Sequence, residues 1–253
     1  GAARFSLRGL PASNPAGQTS TVEVVFTPSD FANYTANLTL NHNAGYVGSP
    51  FVINLRALGR TPGIAQTFYV AKGNPAATVP YTNWATAAAD IQTAIDFALA
   101  SDTIIASNGV YDAGGRTAPD ETLTNRVLIY KPIMVRSVNG PSFTHIKGAW
   151  DPITTNGNAA VRCVWMTNGA TLIGFTLTNG ATRDSGGTRG GGAWCQSTNA
   201  IIYNCVITGN RAKSYGGGTC GGALYNCTLT GNSAFAGGGS YGHYYQPCAL
   251  INC

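Results

Sequence analysis

The chain carries ten carboxylates, and any acid–base chemistry has to draw on them: Glu23, Asp30, Asp90, Asp96, Asp102, Asp112, Asp120, Glu121, Asp151 and Asp184. Cleaving a glycosidic bond takes two such groups about 5–10 Å apart. Past Asp151 only Asp184 remains, and one acid is not a pair. Asp112, Asp120 and Glu121 share one loop, residues 112–125, where they either meet in space or simply face solvent. Asp90, Asp96 and Asp102 fall on or next to a predicted helix and are expected on its solvent side. A hydroxyl nucleophile has no support, because no Gly-x-Ser-x-Gly elbow occurs. His243, close to Tyr241, Tyr244 and Tyr245, reads as a turn residue rather than a base. The sequence therefore assigns no catalytic residue.

All seven cysteines lie after residue 162. Cys205, Cys227 and Cys253 belong to one repeating position; Cys195, Cys220 and Cys248 each follow a glycine-rich stretch and form a second, looser group. Three readings stand open: buried thiols acting as small hydrophobes, disulfides within the Cys195, Cys220 and Cys248 group in an oxidising compartment, or metal ligands. The last lacks any Cys-x-x-Cys spacing, and no metal or cofactor is expected. The odd count forbids complete pairing within the chain.

Aromatic residues offer a surface rather than a reaction. Tyr203 and Tyr225 stand at the same place in successive repeats, and Trp194 and Tyr215 lie nearby in sequence. Such rings either stack along a sheet or meet a sugar face or a neighbouring protein. These four are the candidate glycan or partner contacts.

The elements that would hold these groups are legible as repeats. Leu172-Ile173-Gly174-Phe175-Thr176-Leu177 is followed by Ile202-Tyr203-Asn204-Cys205-Val206-Ile207, then Leu224-Tyr225-Asn226-Cys227-Thr228-Leu229, then Leu250-Ile251-Asn252-Cys253. The steps are 30, 22 and 26 residues. A period of this size with unequal steps is a solenoid signature, each coil burying its apolar face on the next. Stacked coils make columns: Leu172, Ile202, Leu224 and Leu250; Leu177, Ile207 and Leu229; Phe175, Cys205, Cys227 and Cys253; and Gly174, Asn204, Asn226 and Asn252. Asn tolerates the left-handed bend between two strands, and stacked amides can hydrogen-bond along the column. Gly190-Gly191-Gly192, Gly216-Gly217-Gly218 and Gly237-Gly238-Gly239 recur once per coil and read as bends, since none is followed by Lys and Ser/Thr as a phosphate cradle would be.

Upstream, one helix is predicted over about 84–100, with Ile91, Ala94, Ile95, Ala98 and Leu99 on one face and Thr82 or Asn83 as cap. Residues 1–59 alternate as half-buried strands do, at Val22, Val24 and Phe26, Leu38 and Leu40, and Phe51, Ile53 and Leu55. Turns are expected at Pro15-Ala16-Gly17, Pro28-Ser29-Asp30 and Asn41–Gly48. Residues 60–65 read as a linker. Only 10% of residues are charged and 33 are glycine, which suits a turn-rich β protein rather than disorder. The net charge of +5 is spread without a run, which argues against nucleic acid, and no apolar stretch is long enough to span a membrane. Beginning at Gly1 and stopping at Cys253 partway through a repeat, the chain is expected to be a piece of a longer polypeptide.

Two stretches resemble known families. Asn14-Pro15-Ala16-Gly17, Val22 to Pro28, Tyr34 to Leu40 and Leu55-Arg56-Ala57-Leu58-Gly59 resemble the later strands of the immunoglobulin-like modules of bacterial surface proteins (the choice-of-anchor D and ASH-type group). Trp84 to Asp96, Asp102 to Ala106 and Gly109-Val110-Tyr111 resemble the capping helix and first coil of right-handed parallel β-helix proteins. Lys131 to Pro141 and Thr144 to Gly148 resemble their next coils, and Gly174 to Gly180 with the Asn-Cys repeats their later ones. The resemblance implies an all-β chain: a partial immunoglobulin-like β-sandwich over 1–59, then a right-handed parallel β-helix with an N-terminal capping helix over 66–253. It implies an extracellular or cell-surface module with a structural or adhesive role. Its partners would be further copies of itself, end to end or side by side, or a surface glycan. Because that family also holds pectate lyases and polygalacturonases, a polysaccharide-active enzyme and a non-catalytic glycan-binding module are the alternatives; a lyase of this kind needs acidic ligands for calcium, which the later repeats lack.

Overall fold

The computed structural model describes residues 5–15, 18–28, 33–41, 50–59, 64–119, 121–242 and 246–253. The predicted turns at Pro15-Ala16-Gly17, Pro28-Ser29-Asp30 and Asn41–Gly48, most of the 60–65 segment, Asp120, and His243, Tyr244 and Tyr245 lie wholly or partly outside them. The chain divides into two compact units, Gly1–Ile64 and Ala65–Cys253. No described helix is long and apolar enough to cross a membrane.

Among its described residues the first unit holds two antiparallel pairs, Phe5–Arg8 with Glu23–Phe26 and Asn33–Leu40 with Phe51–Leu58. The rings of Phe5 and Phe26 lie 4.8 Å apart and those of Phe26 and Tyr34 5.3 Å. The alternation of the sequence does not translate into burial at every position: Val24, Leu40, Phe51 and Ile53 are exposed. A two-stranded ribbon has little to bury its apolar face against.

Among its described residues the second unit is all-β apart from one short helix, and its strands form three long sheets, an arrangement consistent with a β-helix-like fold. The first sheet contains Thr67–Val70, Thr103–Ala106, Met134–Ser137, Thr171–Ile173, Ile201–Tyr203, Gly222–Tyr225 and Cys248–Ile251, all parallel. Gly109–Tyr111, Thr144–Lys147, Thr176–Thr178, Val206–Thr208 and Thr228–Thr230 make the second, also parallel. The third runs through Thr124–Ile129, Val161–Met166, Ala193–Cys195, Thr219–Cys220 and Ser240–Tyr241, with Arg116–Thr117 joined antiparallel at its edge. From Thr103 onward the chain visits first, second and third sheet in turn, then begins again. Each circuit pairs with its neighbours at the spacing of adjacent strands, about 4.8 Å.

Register places like over like. Phe68, Ile104, Val135, Leu172, Ile202 and Leu224 are successive partners in the first sheet, and all are buried. Leu250 pairs with Leu224 but stands 54% exposed. In the second sheet Ile146, Leu177, Ile207 and Leu229 follow one another. Each buried aliphatic side chain contributes roughly 1.5–3 kcal/mol, so a column of them holds consecutive circuits together.

The helix covers Ile91–Phe97 only, not 84–100. Residues 84–90 are drawn elsewhere: Asn83 Oδ1 accepts from Thr86 N at 3.0 Å, and Ala88 pairs with Val70 as an extension of the first sheet. The cap is Asp90, whose carboxylate accepts from Thr93 N at 2.8 Å, rather than Thr82 or Asn83. Ala98 is already extended. Lys131 Nζ closes the far end, donating to the carbonyls of Ile95, Asp96 and Ala98 at 3.0, 2.8 and 2.6 Å, a cation placed where helix carbonyls gather partial negative charge. Gln92 ties the helix to the third sheet through the N–H and carbonyl of Leu128. Asp102, expected on the solvent side, is buried and accepts from Gln66 N and Leu99 N at 2.8 and 2.6 Å. It joins the strand start to the helix end.

Candidate functional site

The corner between the first and second sheets is built from the Asn-Cys pairs. Asn204, Asn226 and Asn252 have φ of 50°, 52° and 53°, and Gly174 occupies the same place at 76°. That left-handed conformation turns the chain in one residue, and Asn enters it more readily than other side-chain-bearing residues. The backbone N–H groups of Gly174, Asn204 and Asn226 donate to Tyr203 O, Tyr225 O and Ile251 O, each at 3.0 Å. The next residue's thiol fills the bend. Cys205 Sγ lies 3.3 Å from Tyr203 O, Cys227 Sγ 3.3 Å from Tyr225 O and Cys253 Sγ 3.4 Å from Ile251 O. Cys227 and Cys253 also reach the preceding circuit, at Ile202 O and Leu224 O, both 3.5 Å. These thiols plug corners.

All seven thiols are free. Burial pushes Cys163 and Cys205 up to about 12, and Cys220 and Cys227 up to about 11; Cys195 and Cys248 are raised by the same cause. Such groups stay protonated and are poor nucleophiles. Among the described residues no set of His, Cys, Asp or Glu is placed to hold a metal ion.

The amide ladder expected at Asn204, Asn226 and Asn252 lies at another corner. Asn226 Nδ2 donates to Tyr203 Oη at 3.1 Å rather than to an amide. The ladder is made by Asn210 and Asn232. Asn210 Oδ1 accepts from Gly180 N at 2.8 Å, and its Nδ2 donates to Leu177 O at 2.9 Å and Asn232 Oδ1 at 3.0 Å. Asn232 repeats the pattern, accepting from Asn210 N at 3.0 Å and donating to Ile207 O at 2.7 Å. The sequence signal was Thr-Gly-Asn at 208–210 and again at 230–232. The three glycine runs also stack: Gly192 N donates to Gly217 O and Gly218 N to Gly238 O, at 3.1 and 2.9 Å. A Cβ on Gly191 would stand 2.7 Å from Gly217 O, and one on Gly217 2.6 Å from Gly238 O. These runs are close backbone approaches.

Among the described residues the acids do not converge. Asp112 is exposed and paired with Lys72 at 2.9 Å, which holds its carboxyl below the usual range. Glu121 is held by Arg162 Nη1 at 3.1 Å and Trp165 Nε1 at 3.3 Å. The two line different cavities. Asp96 makes a two-pronged pair with Arg116 at 2.7 Å and accepts from Tyr130 Oη at 3.1 Å. Asp151 accepts from the N–H groups of Ile153, Thr154 and Ala159, which bring it down to about 2. Asp184 is exposed.

The four candidate aromatic residues fall into two places. Tyr203 and Tyr225 are register partners on the first sheet, with ring centres 6.4 Å apart and tilted by 37°. Trp194 belongs to the third sheet, stacked on its register partner Trp165 at 5.2 Å and 16°. Tyr215 stacks on Tyr241 at 4.4 Å and carries the Arg189 guanidinium over its ring at 5.4 Å.

Beside Trp194 opens a cleft of about 490 Å³ lined by Glu121, Thr122, Arg162, Gly186–Arg189 and Trp194. Its floor is Arg162, fully buried, whose donors go to Glu121, to Asn125 Oδ1 at 2.7 Å, and to the carbonyls of Gly190 and Arg189 at 2.8 and 2.9 Å. Burial lowers its pKa, and Glu121 opposes the shift. Sequence reading did not join Glu121 to Arg162, because 41 residues separate them and only the stacking of circuits brings them together.

No family model, curated protein or solved structure matches the chain.

Proposed function

We propose that the second unit is a right-handed parallel β-helix whose short helix caps its first circuit, that residues 1–59 are part of an immunoglobulin-like module, and that the chain serves as a secreted or cell-surface structural, adhesin-like rod. The observation that carries this reading is the register. Like residues pair with like along the first and second sheets, successive circuits also pair in parallel in the third apart from its antiparallel edge strand, and the corners are filled by Asn, Cys and Gly. Such a body is stiff along its stacking direction and presents the same outward positions at a regular spacing, which suits display and attachment to a glycan or to further copies.

The carboxylates favour display over bond cleavage. Asp112 and Glu121 each have a cationic partner and sit in separate cavities, and the later circuits contribute only Asp184. The test has two parts. The chain is incubated with plant and algal polysaccharides, with and without calcium, and reducing ends and unsaturated products are measured; none is expected, and steady product release overturns the reading. In the producing cell, the protein is expected in the medium or accessible to added protease on intact cells; retention inside the cell contradicts it.

A further inference from the structure

We propose that the cleft beside Trp194 is a binding site for a neutral oligosaccharide. The inference deepens the display reading by naming what the rod would hold, and rests on that reading only for its biological setting.

Three observations converge on the cleft. The first is the platform. Trp194 is half-buried and braced from one side by Trp165, nearly parallel to it at 16°. A braced indole loses little freedom on binding and offers a flat apolar surface with a negative face, complementary to the C–H face of a sugar ring. The second is a fixed acceptor. Each oxygen of Glu121 already receives one donor, Trp165 Nε1 on Oε1 and Arg162 Nη1 on Oε2. A carboxylate has about four lone-pair sites, so acceptor capacity remains on a side chain that is 23% exposed and lines the cleft. Held from behind by a buried guanidinium, it is aimed before any ligand arrives. The third is the wall. Thr122 Oγ1 donates to Gly186 O at 2.9 Å, and a Cβ on Gly187 would come within 3.0 Å of Leu123 Cβ. The 186–188 turn is thus pinned against the opposite side.

The volume falls in the range of small-ligand clefts, about 300–1,000 Å³. Polar groups and one braced indole, rather than an apolar lining, point to a hydroxyl-rich ligand. Three ionised groups line the cleft: Glu121, whose carboxylate keeps acceptor capacity; Arg162, whose guanidinium is consumed by four protein acceptors; and Arg189, exposed, whose guanidinium is engaged over the Tyr215 ring at 5.4 Å. A neutral sugar can donate hydroxyls to Glu121, whereas a uronate would bring like charge against it. Tyr203 and Tyr225, on the first sheet, lie outside this site.

The test is calorimetric titration of the intact chain with cellohexaose, xylohexaose, mannohexaose and hexagalacturonate, read in parallel by tryptophan fluorescence. At least one neutral hexaose is expected to bind with a Kd below about 1 mM and to perturb the emission. Trp194→Ala is expected to weaken that binding about tenfold or more, Trp194→Phe to restore part of it, and Tyr203→Ala to leave it unchanged. Circular dichroism checks that each variant is folded, and the phenylalanine variant keeps the question answerable if alanine disturbs the Trp165 stack. Absence of binding by every neutral hexaose, binding of hexagalacturonate alone, or binding removed by Tyr203→Ala but not by Trp194→Ala overturns the proposal. None of those results bears on product release or cell-surface exposure, which test the display reading separately.

Discussion

Two kinds of asparagine stand in the same repeats, and replacing each separates two physical roles. Asn210 is fully buried. Removing its amide in Asn210→Ala strands the N–H of Gly180, the carbonyl of Leu177 and one bond to Asn232. The two backbone groups are buried, and an unmade buried hydrogen bond costs about 1–3 kcal/mol, giving about 2–6 kcal/mol. A water entering the polar space left behind recovers part of this, so about 3 kcal/mol is expected. Asn204, by contrast, is exposed and makes a bend at φ 50°. Asn204→Ala faces the left-handed penalty of about 1–2 kcal/mol, whereas Asn204→Gly enters that conformation freely and costs within about 0.5 kcal/mol. The assay is urea unfolding followed by tryptophan fluorescence. Trp84, Trp150, Trp165 and Trp194 all lie in the Ala65–Cys253 unit, so the signal reports that unit alone. An Asn210→Ala variant within about 0.5 kcal/mol of the parent, or Asn204→Gly costing more than Asn210→Ala, would refute the ladder argument.

Other perturbations follow from the same structure. Gly217→Ala would press a methyl onto Gly238 O at 2.6 Å and onto Ser233 O; a loss of about 1–3 kcal/mol or more is expected in the same urea assay, and a neutral effect would contradict the close stacking of the glycine runs. Native-state alkylation at pH 8 should modify the exposed Cys253 first and leave Cys205 and Cys227, pushed up to about 12 and 11, untouched until denaturant is added; mass spectrometry showing early modification of Cys205 would contradict their corner-filling role. Asp151 has a folded-state pKa near 2, below its ordinary value of 3.8, so its loop gains stability above about pH 4 and loses it as pH falls through about 2. A carboxyl titration by NMR should place its midpoint there, and a midpoint near 4 would mean that the three backbone N–H bonds are not made.

Parallel β structure was legible because equal residue types recur at unequal steps, and those steps of 30, 22 and 26 residues separate the register partners Leu172, Ile202, Leu224 and Leu250. The helix was overdrawn because its apolar spacing extends into residues that the first sheet claims: Ala88 could serve either a helix face or a strand edge, and pairing with Val70 took it. Asp102 was misplaced for a related reason. A carboxylate after a helix reads as solvated, but two backbone N–H groups made its burial favourable. Asn210 and Asn204 could not be ranked from sequence, since both follow a short strand and only the direction of the side chain, inward or outward, distinguishes ladder from bend. The cleft was the least legible feature. It joins Glu121, Arg162 and Trp194 from three successive circuits, and sequence distance says nothing of that until the register is known.

The claim beneath all of this is that consecutive circuits lie directly on one another in the first sheet. Methyl-labelled NMR tests it most directly, through nuclear Overhauser contacts among Val135, Leu172, Ile202 and Leu224. The account predicts an unbroken chain of contacts, Val135 to Leu172, Leu172 to Ile202 and Ile202 to Leu224, with side chains at about the 4.8 Å strand spacing. Absence of the Leu172–Ile202 or Ile202–Leu224 contact in the folded chain would contradict it.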